Sequence, residues 1–553
     1  MKKTFLLYIL TLCSLVLFAQ NVDWLWATKA GGTYEETVCS IAVDANGSSY
    51  VTGRFEENTT FGTTTLTCSG YEDIFVAKMD SNGNWLWAKQ AGGTSYNSGF
   101  SITIDANGNS YVTGYFQSSA TFGTTTLTSI GGRDIFVAKL DSNGNWLWAK
   151  QAGGTSYNSG FSIAVDANGN SYVTGYFNDS VTFGTITLTS ISGTDIFVAK
   201  LDSNGNWLWA NQAGGTSIDE GYSITVDASG NSYITGYFYS SSITFGTITL
   251  SNSNSVYADI FVAKLDSNGN WLWAKQVGGT GEDEGNSIAV DSNGNSYVTG
   301  YFFSRSITFD TTALTNSGYD DIFVAKLDSS GNWLWAKQAG GIGADVGNGI
   351  AIDANGNSYV TGYFEYSATF GATTLTSIGG YDIFVAKLDS NGNWVWAKQA
   401  GGILTDEGHS IAVDTNGNSY VTGSFAGSAI FGPTTLTSSV GGDIFVAKLG
   451  EANSINLPDI ISFNGIRSIY PNPFNPLTTI DYEISMPTDV KIEVYNNRGQ
   501  LVRSFALGYK EQGSYKLTWE GEDNNGCLCS SGIYYIRMQA GKEIYTKKAV
   551  LLK

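Results

Sequence analysis

Asp73-Ile-Phe-Val-Ala-Lys78 is spelled again at Asp134, Asp195, Asp259, Asp321, Asp382 and Asp443. The copies stand about 61 residues apart, a period typical of propellers and arrays. Working outward in the second copy, Ser101-Ile-Thr-Ile-Asp105 reads as a strand and Ala106-Asn-Gly-Asn109 as a turn. Ser110-Tyr-Val-Thr-Gly-Tyr-Phe116 is the next strand, followed by a Thr-rich stretch, Thr121 to Thr128. The hexapeptide then runs to Asp141, and the turn Ser142-Asn-Gly-Asn145 leads into Trp146-Leu-Trp-Ala-Lys-Gln151. That is four strands per repeat, with the Thr-rich stretch adding a small side hairpin.

Asn-Gly, or Ser-Gly at Ser229-Gly230 and Ser330-Gly331, centres both turns. Gly reaches positive φ without steric cost and Asn tolerates it, so the chain can reverse tightly there. The Asp before each turn can accept hydrogen bonds from the turn's own backbone. Asp80, Asp141, Asp202, Asp266, Asp328 and Asp389 end third strands in this way, whereas the seventh copy ends Lys448-Leu-Gly450 with neither Asp nor turn. That copy lacks a fourth strand, and Asp23-Trp-Leu-Trp-Ala27 is a fourth strand lacking the other three. If the two complete one sheet, the ring closes and no sheet edge is left bare. The predicted fold is all-β: a seven-bladed propeller over 23–449 closed by its N-terminal strand, a linker over 450–466, and a small Ig-like β-sandwich over 467–553.

The stretch Ser162-Ile-Ala-Val-Asp-Ala-Asn-Gly-Asn-Ser-Tyr-Val-Thr-Gly175 resembles the SBBP beta-propeller repeat of bacterial surface and secreted proteins. That resemblance implies a propeller and no particular activity. In the last segment Tyr470-Pro-Asn-Pro-Phe-Asn-Pro476, Val494-Tyr-Asn-Asn-Arg-Gly499, Trp519-Glu-Gly521, Ser531-Gly-Ile-Tyr-Tyr535 and Lys547-Lys-Ala-Val-Leu-Leu-Lys553 stand together. They resemble the C-terminal sorting domain of type IX secretion cargo, which is similar to the Ig-like domain of flagellar hook-capping proteins. The resemblance makes Tyr470, Pro471, Asn472, Pro473, Phe474, Asn475 and Pro476 a sorting motif and implies the secretion machinery as a partner.

Residues 1–19 read as a secretory signal: Lys2 and Lys3, an apolar run from Phe5 to Phe18, and the small residue Ala19 before Gln20. That run is short for a membrane anchor, and no later stretch is long enough, so no transmembrane segment is expected once it is removed. The expected location is outside the cell or on its surface, by Sec export. A formal charge of −20 argues against nucleic acid and anionic membranes and is compatible with cations, basic proteins or neutral glycans. Cys39 and Cys68 both fall in the first repeat, in loops placed on one face, where an oxidising compartment would allow a disulfide.

Copy-to-copy variation gathers in the loops between blades. Glu35 and Glu36, Asp219 and Glu220, Glu282, Asp283 and Glu284, Asp345, and Asp406 and Glu407 stand there, while the loops at Tyr96-Asn-Ser98 and Tyr157-Asn-Ser159 are neutral. This acidic sector is the candidate binding face for a cation or a basic partner, set against a plain solvated rim. Seven Trp-x-Trp pairs, such as Trp146 and Trp148, share a strand face and are read as packing between blades rather than as glycan platforms. Asp-x-Asn-Gly-Asn superficially resembles a calcium loop, but its Gly is fourth where the EF-hand needs it sixth, so these Asp are read as turn formers. No cofactor and no metal site are expected, calcium being a weak option. The single His, His409, stands in no nucleophile–base pattern, and no catalytic residue is assigned. The expected role is a binding or scaffolding module with an unidentified protein or glycan ligand. The rivals are a propeller enzyme acting on polysaccharide and a structural surface-layer component.

Overall fold

The computed structural model describes residues 22–34, 36–254, 256–439, 441–451, 465–511 and 513–553. The leader and Glu35 lie outside the described residues. Two compact units divide the chain, one ending at Glu451 and the other running from Ala452.

Seven four-stranded antiparallel blades make the first unit. Blade 1 consists of Glu36–Val43, Ser49–Phe55, Asp73–Met79 and Trp85–Ala91, and blades 2 to 6 repeat that order. Blade 7 is built from Asp406–Val413, Ser419–Phe425, Asp443–Glu451 and the opening strand Val22–Gly32. The register runs from Val22 opposite Glu451 to Ala30 opposite Ile444, so the two ends of the repeat zip the ring shut. The propeller strands therefore reach Glu451, and the first strand of the second unit starts at Gly465, which trims the expected linker at both ends.

Each residue of the hexapeptide has a job. Ile74, Phe75, Val76 and Ala77 are fully buried because blades cover both faces of the sheet. Lys78 Nζ lies 4.6 Å from the centre of the Tyr50 ring, and the same cation–π contact recurs in all seven blades. The Asp73 carboxylate accepts from Ser69 N at 2.8 Å and fills the space that a Cβ on Gly92 would need, 1.9 Å away. At the turns, Asp105 Oδ1 accepts from Asn107 N and Asn109 N, and its Oδ2 from Asn109 Nδ2.

The tryptophans stitch blades together. Trp85 lies edge-on to Phe61 of its own side hairpin, at 5.1 Å, and its Nε1 donates back to Lys29 O of blade 7. Trp87 meets Tyr50 of its own blade and donates forward to Ser142 O of blade 2. Between them the register slips, so the residue between each pair points outward; Leu147 is half exposed. Side hairpins stitch too: Thr60 and Thr59 of blade 1 pair with Gly31 and Gly32 of blade 7. Gln90 donates to Thr67 O and accepts from Thr67 N, blocking the hairpin's free edge.

The second unit is a sandwich of a three-stranded and a four-stranded antiparallel sheet. Trp519, Ile480, Ile492, Val494, Ile536 and Phe474 fill its core. Among the described residues no helix is long and apolar enough to cross a membrane.

Candidate functional site

The first strand of every blade lines the central channel and carries a β-bulge. In blade 2, Gly99 pairs with Gly114 and Ser101 with Thr113, leaving Phe100 as the extra residue. A bulge frees its extra residue from the ladder and re-aims the side chain. The seven bulge residues are Cys39, Phe100, Phe161, Tyr222, Asn286, Asn348 and His409, and all seven line the mouth of the channel. The flanking residues hardly vary, because they close the gaps between blades: Ser40 Oγ accepts from Ile102 N, Ser101 Oγ from Ile163 N, and so on round the ring. Six such bonds form; the seventh is missing because Gly349 stands where the other blades have Ser.

The acids of the expected rim divide into two sets, because most of them stand in the first strand rather than in the loop before it. Asp219 and Glu220 open the strand Asp219–Val226, and neighbours on a strand face opposite ways. Glu36, Asp219, Asp283, Asp345 and Asp406 turn inward and are buried, with at most 1 % of their surface exposed. They are not a solvated rim. Asp219 takes Ser240 N and Ser240 Oγ, Asp283 takes Ser304 N, Ser304 Oγ and Gly279 N, and Asp406 takes Gly402 N and Ala426 N. Glu36 takes Thr59 Oγ1 at 2.7 Å. Each shapes the loop beside it.

Each of these acids also faces the hexapeptide Asp of the preceding blade across the inter-blade gap. The pairs are Asp195 with Asp219, Asp259 with Asp283, Asp321 with Asp345, and Asp382 with Asp406. The ideal Cβ position on Gly340 lies 2.4 Å from Asp321 Oδ1 and 3.1 Å from Asp345 Oδ2, so the two carboxyls share one small space. Oδ1 of Asp195, Asp259, Asp321 and Asp382 has no hydrogen-bond partner. Burial, with the neighbouring acid adding to it, raises Asp195, Asp283, Asp345 and Asp406 to about 7. Burial raises Asp321 to about 6. In blades 2 and 3, Asn97 and Asn158 stand in place of the second acid, and Asn97 Nδ2 reaches Asp73 Oδ1 at 3.4 Å. At the ring's seam Asp443 and Glu36 meet instead, and Lys29 Nζ neutralises Asp443 at 2.5 Å.

Glu220, Glu284 and Glu407 turn the other way and are half-buried. Glu284 lines a cavity of about 520 Å³ at the channel mouth, along with Tyr301, Tyr363 and the seven bulge residues. It accepts from Tyr301, and Glu220 from Tyr237. Burial, then Glu282, Glu220 and Asp320, raise Glu284 to about 7. The Tyr239 hydroxyl donates to Glu282. Beside this acidic arc, and meeting it at blade 4, a chain of rings crosses blades 2 to 4: Phe100 to Phe161 at 5.4 Å, Phe161 to Tyr222 at 5.3 Å and Tyr222 to Tyr237 at 5.1 Å. Arg133 lies 4.2 Å over Tyr115 of blade 2, and Arg54 of blade 1 pairs with Glu72.

His409 Nδ1 contacts Val38 O at 2.6 Å, while Nε2 is 3.5 Å from both Ser424 Oγ and Glu407 Oε2. A hydrolase relay places the carboxylate on the nitrogen opposite the hydroxyl. Here both stand on one nitrogen. Cys39 and Cys68 are free thiols, and the expected disulfide is not formed. They lie at opposite radial ends of the blade: Cys39 sits on the innermost strand at the channel, and Cys68 follows the outer side hairpin, with its N bonded to Glu57 O.

In the second unit the motif 470–476 docks the last strand. Asn472 Nδ2 donates to Lys548 O and its Oδ1 accepts from Val550 N; Phe474 N donates to Val550 O and its ring packs 5.2 Å from Trp519. Tyr470 stays exposed. Cys527 and Cys529 are free.

Sequence reasoning missed the bulge ring. Its signal was present, since the residue before the recurring Ser-Ile changes character from blade to blade, as does the residue two places before it.

Comparison with known proteins agrees with this architecture. A family described as a beta-propeller repeat (SBBP) matches residues 86–115, 147–178, 208–237, 272–301, 334–363 and 395–424, and the FlgD Ig-like domain matches residues 477–543. The chain thus carries beta-propeller repeats followed by an Ig-like domain. It is 27% identical over 508 residues to the uncharacterized WD repeat-containing protein L264 of Acanthamoeba polyphaga mimivirus, an alignment covering 72% of this chain and 36% of that protein. It is 24% identical over 380 residues to the regulatory protein FlaEY of Caulobacter vibrioides, covering 63% of this chain and 38% of the relative. The chain therefore spans little more than a third of either relative. Among solved structures, a fungal alcohol oxidase of the AA5 family in complex with copper aligns over 96% of this chain and 100% of its own at 11% identity and TM-score 0.40. PorZ, a type-IX secretion component of Porphyromonas gingivalis, aligns over 95% and 100% at 12% identity and TM-score 0.18.

Proposed function

We propose that the protein is an exported binding module whose ligand sits on the channel mouth of the propeller, and whose Ig-like unit delivers it across the outer membrane as a type IX sorting signal. The single observation behind the binding reading is the bulge ring. Packing makes the half of the inner strand after the bulge repeat, yet the seven bulges aim side chains of five different types into one cavity. The export reading is supported by the leader's pattern and by the resemblance of the last segment to sorting domains. Secretion machinery is then the partner of the second unit, and an extracellular protein or glycan the partner of the first.

Two experiments test the halves separately. Removing residues 467–553 should hold the propeller in the periplasm; normal surface delivery of the truncated chain would refute the sorting role. Partner capture by the full chain should be lost with Phe161→Ala at the channel mouth, in protein that melts as the parent does. Capture that survives this change would move the site elsewhere.

A further inference from the structure

The channel mouth is two-sided. One wall is the ring chain Phe100, Phe161 and Tyr222; the other begins at Glu284 on the next blade, with Glu220 on Tyr222's own strand where the two meet. The charges acting most strongly on Glu284 are Glu282, Glu220 and Asp320, all acidic. The carboxylates are held by tyrosine hydroxyls rather than by cations: Tyr301 on Glu284, Tyr237 on Glu220, Tyr239 on Glu282. Of the arginines at this end, Arg133 is stacked on Tyr115 and Arg54 paired with Glu72 over blades 1 and 2, and Arg305 stands exposed in the outer loop of blade 5, beside Ser304.

Aromatic faces are negative and carboxylates are negative, so the cavity attracts positive charge from both walls. A bare metal ion is poorly served, because no three His, Cys, Asp or Glu among the described residues come together to hold one. An organic cation uses both walls: its apolar stem lies along the rings and its charged end meets the acids.

We propose that the mouth receives a lysine or arginine side chain presented by a partner protein, seated between the Phe161–Tyr222 wall and the Glu284–Glu220 arc. This rests on the reading of the mouth as the ligand site, and names the chemistry that site selects.

The test uses the full chain and isothermal calorimetry, with three probes: a short lysine-rich peptide, its fully acetylated twin, and a neutral oligosaccharide mixture. The lysine peptide should bind, the acetylated twin at least about tenfold more weakly. Glu284→Gln and Phe161→Ala should each weaken the lysine peptide about three- to tenfold, and Glu284→Asp should recover part of the loss. Raising salt from 50 to 300 mM should weaken it further, since charges are screened over about a Debye length. Asp310→Asn, on an exposed hairpin turn at φ 52 far out on the blade, removes one negative charge and should change nothing. Failure of the lysine peptide to bind, equal binding of the acetylated twin, or an equal loss with Asp310→Asn overturns the proposal. Oligosaccharide binding that Phe161→Ala abolishes would keep the mouth as the site and reject the cation. Binding of any probe that ignores both Phe161→Ala and Glu284→Gln would reject the mouth itself.

Discussion

Asp321→Asn, a change of one atom, should stabilise the propeller at pH 8 and do nothing at pH 4. Asp321 Oδ2 already accepts from Ser317 N and Gln338 Nε2, so an amide oxygen can keep those bonds. Oδ1 has no partner and shares its space with Asp345. An Nδ2 there would donate to Asp345, much as Asn97 does to Asp73 across the first gap. The sign follows from linkage. Burial raises Asp321 from 3.8 to about 6 and Asp345 to about 7, so the folded chain binds more protons than the unfolded one between about pH 4 and 7. Stability therefore falls as pH rises through that window, and the full cost is present above it. At about 1.4 kcal/mol per pKa unit, the ceiling for Asp321 alone is about 3 kcal/mol. Coupling within the pair and relaxation reduce this, and a gain of about 1–3 kcal/mol at pH 8 is expected. Calorimetric melting of parent and variant at pH 4, 6 and 8 reads it, as a difference of roughly 1–3 °C for a unit this large. A variant equal to or less stable than the parent at pH 8, or a gain independent of pH, would show that the gap does not hold two competing carboxylates.

Three further predictions probe the ring itself. Lys29→Gln installs the residue that blades 1 and 2 have at this point (Gln90, Gln151), but removes the cation from Asp443 and Glu36; it should cost about 1–2 kcal/mol at pH 8, Lys29 being partly exposed, and an unchanged melting temperature would refute this. Gly349→Ser should supply the absent seventh acceptor for Ile411 N, since the ideal Cβ lies 3.2 Å from that nitrogen, and gain about 0.5–1 kcal/mol by urea denaturation; a loss would mean the gap is closed too tightly for a side chain. Trp396→Phe should cost about 1 kcal/mol less than Trp209→Phe, because Trp209 Nε1 donates to Ser267 O at 3.2 Å while Trp396 Nε1 has no acceptor; equal losses would refute that difference.

Much of this ring was legible in the sequence, for a physical reason. Packing between identical blades repeats the same demand seven times, so Asp-Ile-Phe-Val-Ala-Lys, the Asn-Gly turns and the Trp pairs recur in register with the structure. The absence of a turn after Lys448 even foretells why Trp396 is unsatisfied: its acceptor would have been the seventh turn. What could not be read was orientation. Asp219 and Glu220 are adjacent letters of the same charge, and only the point at which the strand begins decides that one is sealed between blades and the other faces the mouth. Cys39 and Cys68 likewise looked like loop neighbours, though one lies on the innermost strand and the other beside the outer hairpin.

The same distinction bears on where function resides. At the bulge position two chemistries tie one blade to the next. In blades 2 to 4 it is ring against ring; in blades 5 to 7 it is a polar contact to a backbone carbonyl, Asn286 Nδ2 to Gly347 O, Asn348 Nδ2 to Gly408 O, and His409 Nδ1 to Val38 O. Either device bridges the gap, so closing the ring does not require that aromatics occupy one half of the mouth and polar groups the other. The acids add a second asymmetry that overlaps the first at blade 4: Glu220, Glu284 and Glu407 stand on blades 4, 5 and 7, with Ser98, Ser159 and Val346 at the matching places on blades 2, 3 and 6. An asymmetry that a sevenfold scaffold does not need for its own stability is the feature expected where a propeller meets a ligand without sevenfold symmetry.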